Sequence, residues 1–321
     1  MRQPVVLVTG AAGELGHALI ESLSEQRSVR IVTLDLKPLP AEIEERTSRT
    51  FTGTILDRNV LDRILSEYEV DEIYHLAALL STRAEFTPVT AHQVNVDGTL
   101  GMLEFAQNQG MSHGRQVKFF YPSSIAAYGL PDLDAKASAG KVREDEWAWP
   151  VTMYGCNKLY CEHLGRYFMY RYKQLDAEPQ SGRLDFRGIR FPGLISAGTV
   201  PSGGTSDYVP EMLHAAAQGQ PYACFVRPDT RIPFMAMPDA VEAMVKLMEA
   251  PREALSRPVY NITAFNPSAG EARERVVQAF DNAEITFDED AKRQRIVDSW
   301  PADVDDDAAR NDWSYAPRFD M

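Results

Sequence analysis

Disulfides and metal clusters are the first things this chain lacks material for. It has three cysteines, Cys156, Cys161 and Cys224, in neither CxxC nor framework spacing, which fits a reducing compartment and points to the cytoplasm. Its six histidines (His17, His75, His92, His113, His163 and His214) lack ligand spacing, so no metal is assigned. No apolar run is long enough to span a bilayer, and MRQPVVLVTG carries no cationic segment leading into a cleavable apolar one, so neither a membrane anchor nor a leader is expected. Positive charge is also short. Against 46 acidic residues stand 33 lysines and arginines, a balance of -13 that repels phosphate backbones and anionic membrane surfaces and argues against nucleic acid as a partner. Repeats and low-complexity tracts are missing too. What remains, 321 residues at 44% hydrophobic and 25% charged, is an ordinary globular chain with room for one large domain and a smaller lobe.

The chain opens on a buried strand, Pro4 to Thr9, broken by Gly10-Ala11-Ala12-Gly13-Glu14-Leu15-Gly16 before a helical run to about Gln26. Strand, glycine turn and helix in that order let the backbone approach a pyrophosphate whose charge sits on the helix N-terminus. A glycine pattern alone also describes a plain tight turn. The next strand, Val29 to Leu34, ends in Asp35, where an acid would hold a ribose 2′-hydroxyl and repel a 2′-phosphate, so the two features together favour NAD. Alternation continues through Thr50 to Gly53, a helix from Val60 to Tyr68, and the strand Glu72 to Leu76 that leads into Ala77-Ala78. At this pitch the expected fold is α/β, a Rossmann-type doubly wound parallel sheet. Asp57 either accepts from an adenine amino group or caps a helix. A helix is expected from about Pro88 to Asn108. The strand Val117 to Tyr121 then delivers Pro122-Ser123-Ser124 to the carboxyl edge of the sheet, where ligands bind, though hydroxyls there also serve turns.

Residues 130–150 read as a loop, and the segment that follows carries the reactive pair. Thr152-Met153-Tyr154-Gly155-Cys156-Asn157-Lys158 opens an amphipathic run ending near Lys173, with Tyr154 and Lys158 four apart on one helical face. An ammonium close to Tyr154 would favour its phenolate, and a tyrosine so tuned can take a proton from an alcohol. A tyrosine packed on a lysine stem is the plainer account of the same spacing. After a polar interruption from Gln174 to Arg183 come a strand, Phe186 to Phe191, the sharp Pro192-Gly193, and the hydroxyl-rich 196–206 stretch, either a substrate loop or a connector. Helices at Tyr208 to Gln218 and Pro238 to Ala250, with the acidic tail from Asp288 to Trp313, are expected to build the C-terminal substrate lobe. The boundary is expected near residue 190 (1–190 and 191–321), with some chain crossing back.

Taken in order, the glycine turn, Asp35, Ser123-Ser124 and the Tyr154/Lys158 pair resemble the extended short-chain dehydrogenase/reductase superfamily. That resemblance implies Ser124 as the catalytic serine, Tyr154 as general base, Lys158 as its activator, and Asn95 as support for the lysine through water. Within it, several runs are similar to the short-chain L-threonine 3-dehydrogenases: Tyr74-His75-Leu76-Ala77-Ala78-Leu79-Leu80-Ser81, Arg190-Phe191-Pro192-Gly193-Leu194-Ile195-Ser196, Gly203-Gly204-Thr205-Ser206-Asp207-Tyr208, Met237-Pro238-Asp239-Ala240 and Asp298-Ser299-Trp300-Pro301. The resemblance implies NAD-dependent oxidation of the 3-hydroxyl of L-threonine to 2-amino-3-oxobutanoate, in a homodimer formed through the helices carrying Asn95 and Tyr154. It assigns Gly10, Gly13, Glu14, Leu15, Gly16, Asp35, Asp57, Leu76, Ala77, Ala78, Asn95, Tyr154, Lys158 and Pro192 to the cofactor. Ser81, Ser123, Ser124, Tyr154, Gly193, Leu194, Thr205 and Ser206 fall to the amino-acid substrate. Ser202 and Ser206 depart from the family's usual glycine and threonine, and the loops flanking the key helix are longer than usual.

Two rivals share parts of this pattern. A nucleotide-sugar epimerase has the same cofactor site and Ser/Tyr/Lys set, and Arg227 and Arg231 would suit a pyrophosphate. Ile125 and Ala126 count against a dehydratase, because neither side chain moves protons. A non-catalytic NAD sensor would be expected to lose Tyr154 or Lys158, and both are present. Asp207 would face the substrate ammonium or cap the helix at Tyr208.

Overall fold

The computed structural model describes residues 2–178, 182–201 and 203–321. Ser202 and residues 179–181 of the polar interruption lie outside the described residues. The first half alternates strictly: β1 (Val5–Thr9), α1 (Glu14–Gln26), β2 (Arg30–Asp35), α2 (Ala41–Glu44), β3 (Arg49–Thr52), α3 (Arg58–Glu67) and β4 (Glu72–His75). Two short helices follow, α4 (Ser81–Phe86) and α5 (Pro88–His92), then a π-helical stretch Gln93–Asp97, α6 (Gly98–His113) and β5 (Val117–Ser124). The single helix expected from Pro88 to Asn108 is therefore interrupted, and Asn95 sits in the interruption. The stretch expected as a plain loop at 130–150 carries α7 (Leu133–Ala139) and β6 (Lys141–Val142) before α8 (Met153–Tyr170) and β7 (Leu184–Phe191). The remainder is β8 (Gly193–Ile195), α9 (Tyr208–Ala217), β9 (Tyr222–Cys224), β10 (Phe234–Ala236), α10 (Met237–Glu249), β11 (Val259–Asn261), α11 (Ala269–Ala279), β12 (Ile285–Phe287), α12 (Ala291–Asp298), β13 (Asp303–Val304) and α13 (Asp307–Trp313).

Seven strands form the central sheet in the order β11-β7-β5-β4-β1-β2-β3, and every pairing within it is parallel. Successive side chains of a strand point to opposite faces. Along β1, Val6 and Val8 enter a core with Leu19 and Leu23 of α1 and Met244 and Met248 of α10. Val5 and Leu7 enter a second core with Ile64 of α3, Met102 and Phe105 of α6 and Phe168 of α8. Helices on both faces explain why β1 is apolar at every position but its last. Strand order reverses between β1 and β4, so the crevice at their carboxyl ends is the switch point of the fold.

A third core gathers Tyr208, Met212, Phe225, Val226, Ile232, Phe234 and Trp300 beside the sheet. Beyond residue 191 the chain crosses back, with β11 returning to the sheet edge. Residues expected in the smaller lobe, Val241 and Met244 of α10 together with Trp313 and Tyr315, pack in the first main core. Among the described residues, no helix is long and apolar enough to cross a membrane.

Candidate active site

The turn after β1 is closed by its glycines. Gly10 has φ +71, and a Cβ there would fall 2.5 Å from the backbone N of Ala77, while one on Gly16 would fall 2.5 Å from the carbonyl of Ala11. Only a residue without a side chain lets β1 and β4 meet this closely at the switch point. Gly13 starts α1 with no side-chain cap, so the helix offers its first-turn N–H groups and the positive end of its dipole to an anion. Glu14 Oε1 in that turn is buried without a hydrogen-bond partner. Asp35 reaches back to this loop. Its Oδ2 accepts from Ala12 N at 2.9 Å and its Oδ1 from Lys37 N at 2.9 Å, which fixes the carboxylate at the end of β2 with lone pairs to spare. Leu76, Ala77 and Ala78 line the opposite side, partly exposed. An uncapped helix start, a cradle that a Cβ would fill and a fixed carboxylate fit a dinucleotide. Asp57 takes the plainer of its two readings: it is the N-cap of α3, accepting from Asn59 N at 2.9 Å.

Thr152 sets the start of α8 by accepting from Gly155 N at 3.0 Å. A Cβ on Gly155 would lie 2.0 Å from the carbonyl of Ala126, so the first turn of α8 seats directly on the turn Ile125–Ala127 that follows β5. Ser124 and Tyr154 thereby share the carboxyl edge of the sheet. Lys158, one turn on, is buried and donates to the carbonyl of Pro122 at 2.6 Å, with its Nζ 5.3 Å from the Tyr154 ring centroid. Burial lowers its ammonium from 10.5 to about 8, with Cys161 and Glu162 pulling the other way. In this arrangement burial pushes the Tyr154 phenol well above the ordinary 10.0.

Ser123 and Ser124 part company. Ser124 is partly exposed and its Oγ accepts from Ala126 N at 3.1 Å. Ser123, on the other face of β5, is buried and donates to Glu162 Oε1 at 2.5 Å. The alternation of the strand removes it from the cleft, correcting its expected place at the substrate. Glu162 is forked by Arg190 at 2.7 and 2.9 Å, a buried pair that the sequence signals only as charges inside an apolar strand and helix. Asn95 has direct partners as well. Its amide brackets the backbone of Leu79, accepting from N at 2.7 Å and donating to O at 3.0 Å, and it reaches Asn157 at 3.4 Å. It fixes the segment leaving β4, where Leu76 to Ala78 lie.

Pro192 and Gly193 are buried behind the edge, and a Cβ on Gly193 would strike the Phe234 ring at 2.5 Å. Leu194 is partly covered by the first core. Neither Pro192 nor Gly193 has a side chain free for a ligand, so only backbone is available there. Thr205 is buried and its N points to Ser81 Oγ at 3.5 Å, which joins the two expected substrate segments, while Ser206 stays partly exposed. Asp207 occupies the N-cap position of α9 without capping it, because its Oδ2 accepts from Gly204 N at 2.6 Å. Arg227 and Arg231 are committed elsewhere, Arg227 to Asp298 at 2.9 and 3.0 Å and Arg231 to Glu271 at 2.9 Å. A concavity of about 1180 Å³ lies to one side between α7, Trp147, Trp149 and α12, and none of Ser124, Tyr154 or Lys158 lines it.

Known proteins carry the same plan. The family model for the NAD dependent epimerase/dehydratase family matches residues 6–263. A bovine mitochondrial L-threonine 3-dehydrogenase is 33% identical over 99% of this chain and 80% of its own length. The solved structure of an L-threonine 3-dehydrogenase from Trypanosoma brucei superposes with a TM-score of 0.85 at 35% identity, covering 99% of this chain and 94% of that one. A monomeric L-threonine 3-dehydrogenase from a metagenome database gives 0.84 at 34% identity, with 98% and 94% covered. The matched span runs from β1 to just past β11, so the whole central sheet lies within it, and the chain belongs to the NAD dependent epimerase/dehydratase family.

Proposed function

We propose that the protein oxidises the 3-hydroxyl of L-threonine to 2-amino-3-oxobutanoate with NAD, in the cytoplasm and as a homodimer. The observation that carries the reading is the partnership at the carboxyl edge of β5: Ser124 partly exposed, Tyr154 on the first turn of α8 seated against the same edge, and Lys158 buried one turn on. When bound, NAD accepts the hydride that leaves carbon 3. Ser124 hydrogen-bonds the substrate hydroxyl and orients it, and Tyr154 Oη, as phenolate, takes the hydroxyl proton. Lys158 keeps a positive charge at about one helical turn from Tyr154. Burial raises the Tyr154 phenol, and positive charge nearby, from Lys158 and from an oxidised nicotinamide when bound, would favour its phenolate. Threonine and NAD⁺ give 2-amino-3-oxobutanoate, NADH and the proton held by Tyr154.

Substrate identity rests on charge. The sequence from Phe191 to Leu213 contains no lysine, arginine or histidine, and the two arginines that would have suited a pyrophosphate are already paired with acids. A single carboxylate suits the hydroxyls and N–H groups of Ser81, Thr205 and Ser206. Three free cysteines accord with a reducing compartment. The test is NADH formation with L-threonine, L-serine, UDP-glucose and 3-hydroxybutyrate. Turnover is expected with L-threonine leading; NADH from UDP-glucose or 3-hydroxybutyrate but none from L-threonine would overturn the assignment.

A further inference from the structure

One cation reaches the charge-poor substrate segment from the far end of the chain. Arg293, on α12, donates through Nη2 to the carbonyl of Gly204 at 2.7 Å. Its guanidinium carbon sits 3.1 Å from the centroid of the Phe225 ring, and Nη2 is 3.9 Å from Glu211 Oε1. A carbonyl, an aromatic face and a carboxylate thus hold one planar group, a geometry that suits arginine and that lysine reproduces only as a point charge. The same turn is tied at three further points. Thr82 Oγ1 donates to Gly203 O at 2.8 Å, Asp207 Oδ2 accepts from Gly204 N at 2.6 Å, and Thr205 N faces Ser81 Oγ at 3.5 Å.

Such tethering answers a physical need. Gly203 has φ +81 and is followed by another glycine, so the turn carries the largest backbone freedom any dipeptide can have. Asp207 secures it locally, and Thr82 ties it to α4 from 121 residues earlier in the chain. Arg293 comes from the C-terminal part of the chain, and it shares with Asp207 N, at 3.2 Å, the carbonyl that orients the Gly204–Thr205 peptide. We infer that Arg293 is a positioning residue for the substrate: by pinning the Gly204 carbonyl it fixes the Thr205–Ser206 edge that receives the amino-acid carboxylate, and it places a positive charge behind that edge. This inference rests on the threonine reading above, and its test separates the two.

Two variants of the full chain, Arg293→Met and Arg293→Lys, are measured beside wild type. Arg293→Met is expected to raise KM for L-threonine by about tenfold or more while kcat and the dissociation constant for NAD stay within about twofold. Arg293→Lys restores most of the loss, since an ammonium still donates to Gly204. Amide hydrogen exchange without substrate supplies the second readout: the amides of Thr205 and Ser206 should exchange about tenfold faster in Arg293→Met. Unchanged KM and unchanged exchange in that variant overturn the positioning role. Should exchange accelerate while wild type leaves L-threonine untouched, the positioning role stands and the substrate reading falls. Equal losses in KM, kcat and NAD affinity in both variants would mark a general structural role and also overturn the inference.

Discussion

Single residues divide into those whose chemistry is visible in a string of letters and those whose environment decides. Tyr154 belongs to the first kind. Tyr154→Phe keeps the ring that Lys158 faces and deletes only the hydroxyl, so NAD affinity should hold while turnover with L-threonine falls by about 100-fold or more. Retention of more than a few per cent of wild-type turnover would remove Tyr154 from the role of base. Asp35 offers the cofactor counterpart: Asp35→Ala frees Ala12 N and Lys37 N and removes the charge that opposes a 2′-phosphate, so the ratio of kcat/KM for NAD over NADP should shrink. An unaltered ratio would place the selectivity elsewhere. Ser123 belongs to the second kind. Its neighbour Ser124 reads identically, yet a strand's two-residue period sends one hydroxyl to Glu162 and leaves the other in the cleft. Asp207 and Arg293 are opaque for a related reason, since each acts on Gly204 backbone atoms rather than on a partner that a spacing rule would name.

At the scale of elements, periodic stretches with strong apolar faces were readable, and short or irregular ones were not. β1, α1 and β2 fall within a residue or two of expectation, because a buried run, a glycine turn and an acid at a strand end follow one another in the order the fold requires. The π-helical stretch at Gln93–Asp97 leaves no such trace, since one extra residue per turn keeps the apolar spacing nearly helical. α7 was lost in a polar, Pro- and Gly-punctuated loop, although it is held by an internal contact. Lys136 is buried there and donates to the carbonyl of Val297 at 3.0 Å, tying α7 to α12. Burial lowers its ammonium from 10.5 to about 8, the nearby Asp298 opposing that shift. Below about pH 8 the folded and unfolded lysine are both protonated and the cost of the buried charge is felt in full. Between about 8 and 10.5 the unfolded chain keeps the proton that the folded chain has released, so this residue's contribution to stability improves as pH rises. Lys136→Met should flatten that part of the wild-type rise and add roughly 1 kcal/mol at pH 7. Denaturant unfolding at pH 7 and pH 9.5 checks it, and an unchanged pH slope in the variant would show that Lys136 does not titrate in this window.

For the whole molecule the sheet is legible in the sequence. Its parallel strands and helices on both faces follow from alternation, whereas the return of β11 to β7 and of Trp313 to the first core depends on contacts between segments well separated in sequence. Surface chemistry then bears on assembly. Phe86 is 82% exposed, Val89 70% and Tyr160 52%, and Tyr167 and Leu100 are exposed beside them in the run of helices α4, α5, α6 and α8. These helices pack on one another, and exposed apolar residues gathered on such a helix group are normally covered. A two-fold contact would lay α8 and α6 against their copies and bury each apolar residue twice over. The monomeric relative shows that the fold itself does not require the contact, which makes the surface residues decisive. Phe86→Glu with Tyr160→Glu places acids on a face of an already acidic chain, at positions whose side chains make no internal packing that the fold depends on. Sedimentation velocity should give a dimer for the wild type and a monomer for the double variant, with the far-ultraviolet spectrum unchanged. A wild-type chain that sediments as a monomer at tens of micromolar would remove the homodimer from the proposed function, and a double variant that remains dimeric would move the contact to another face.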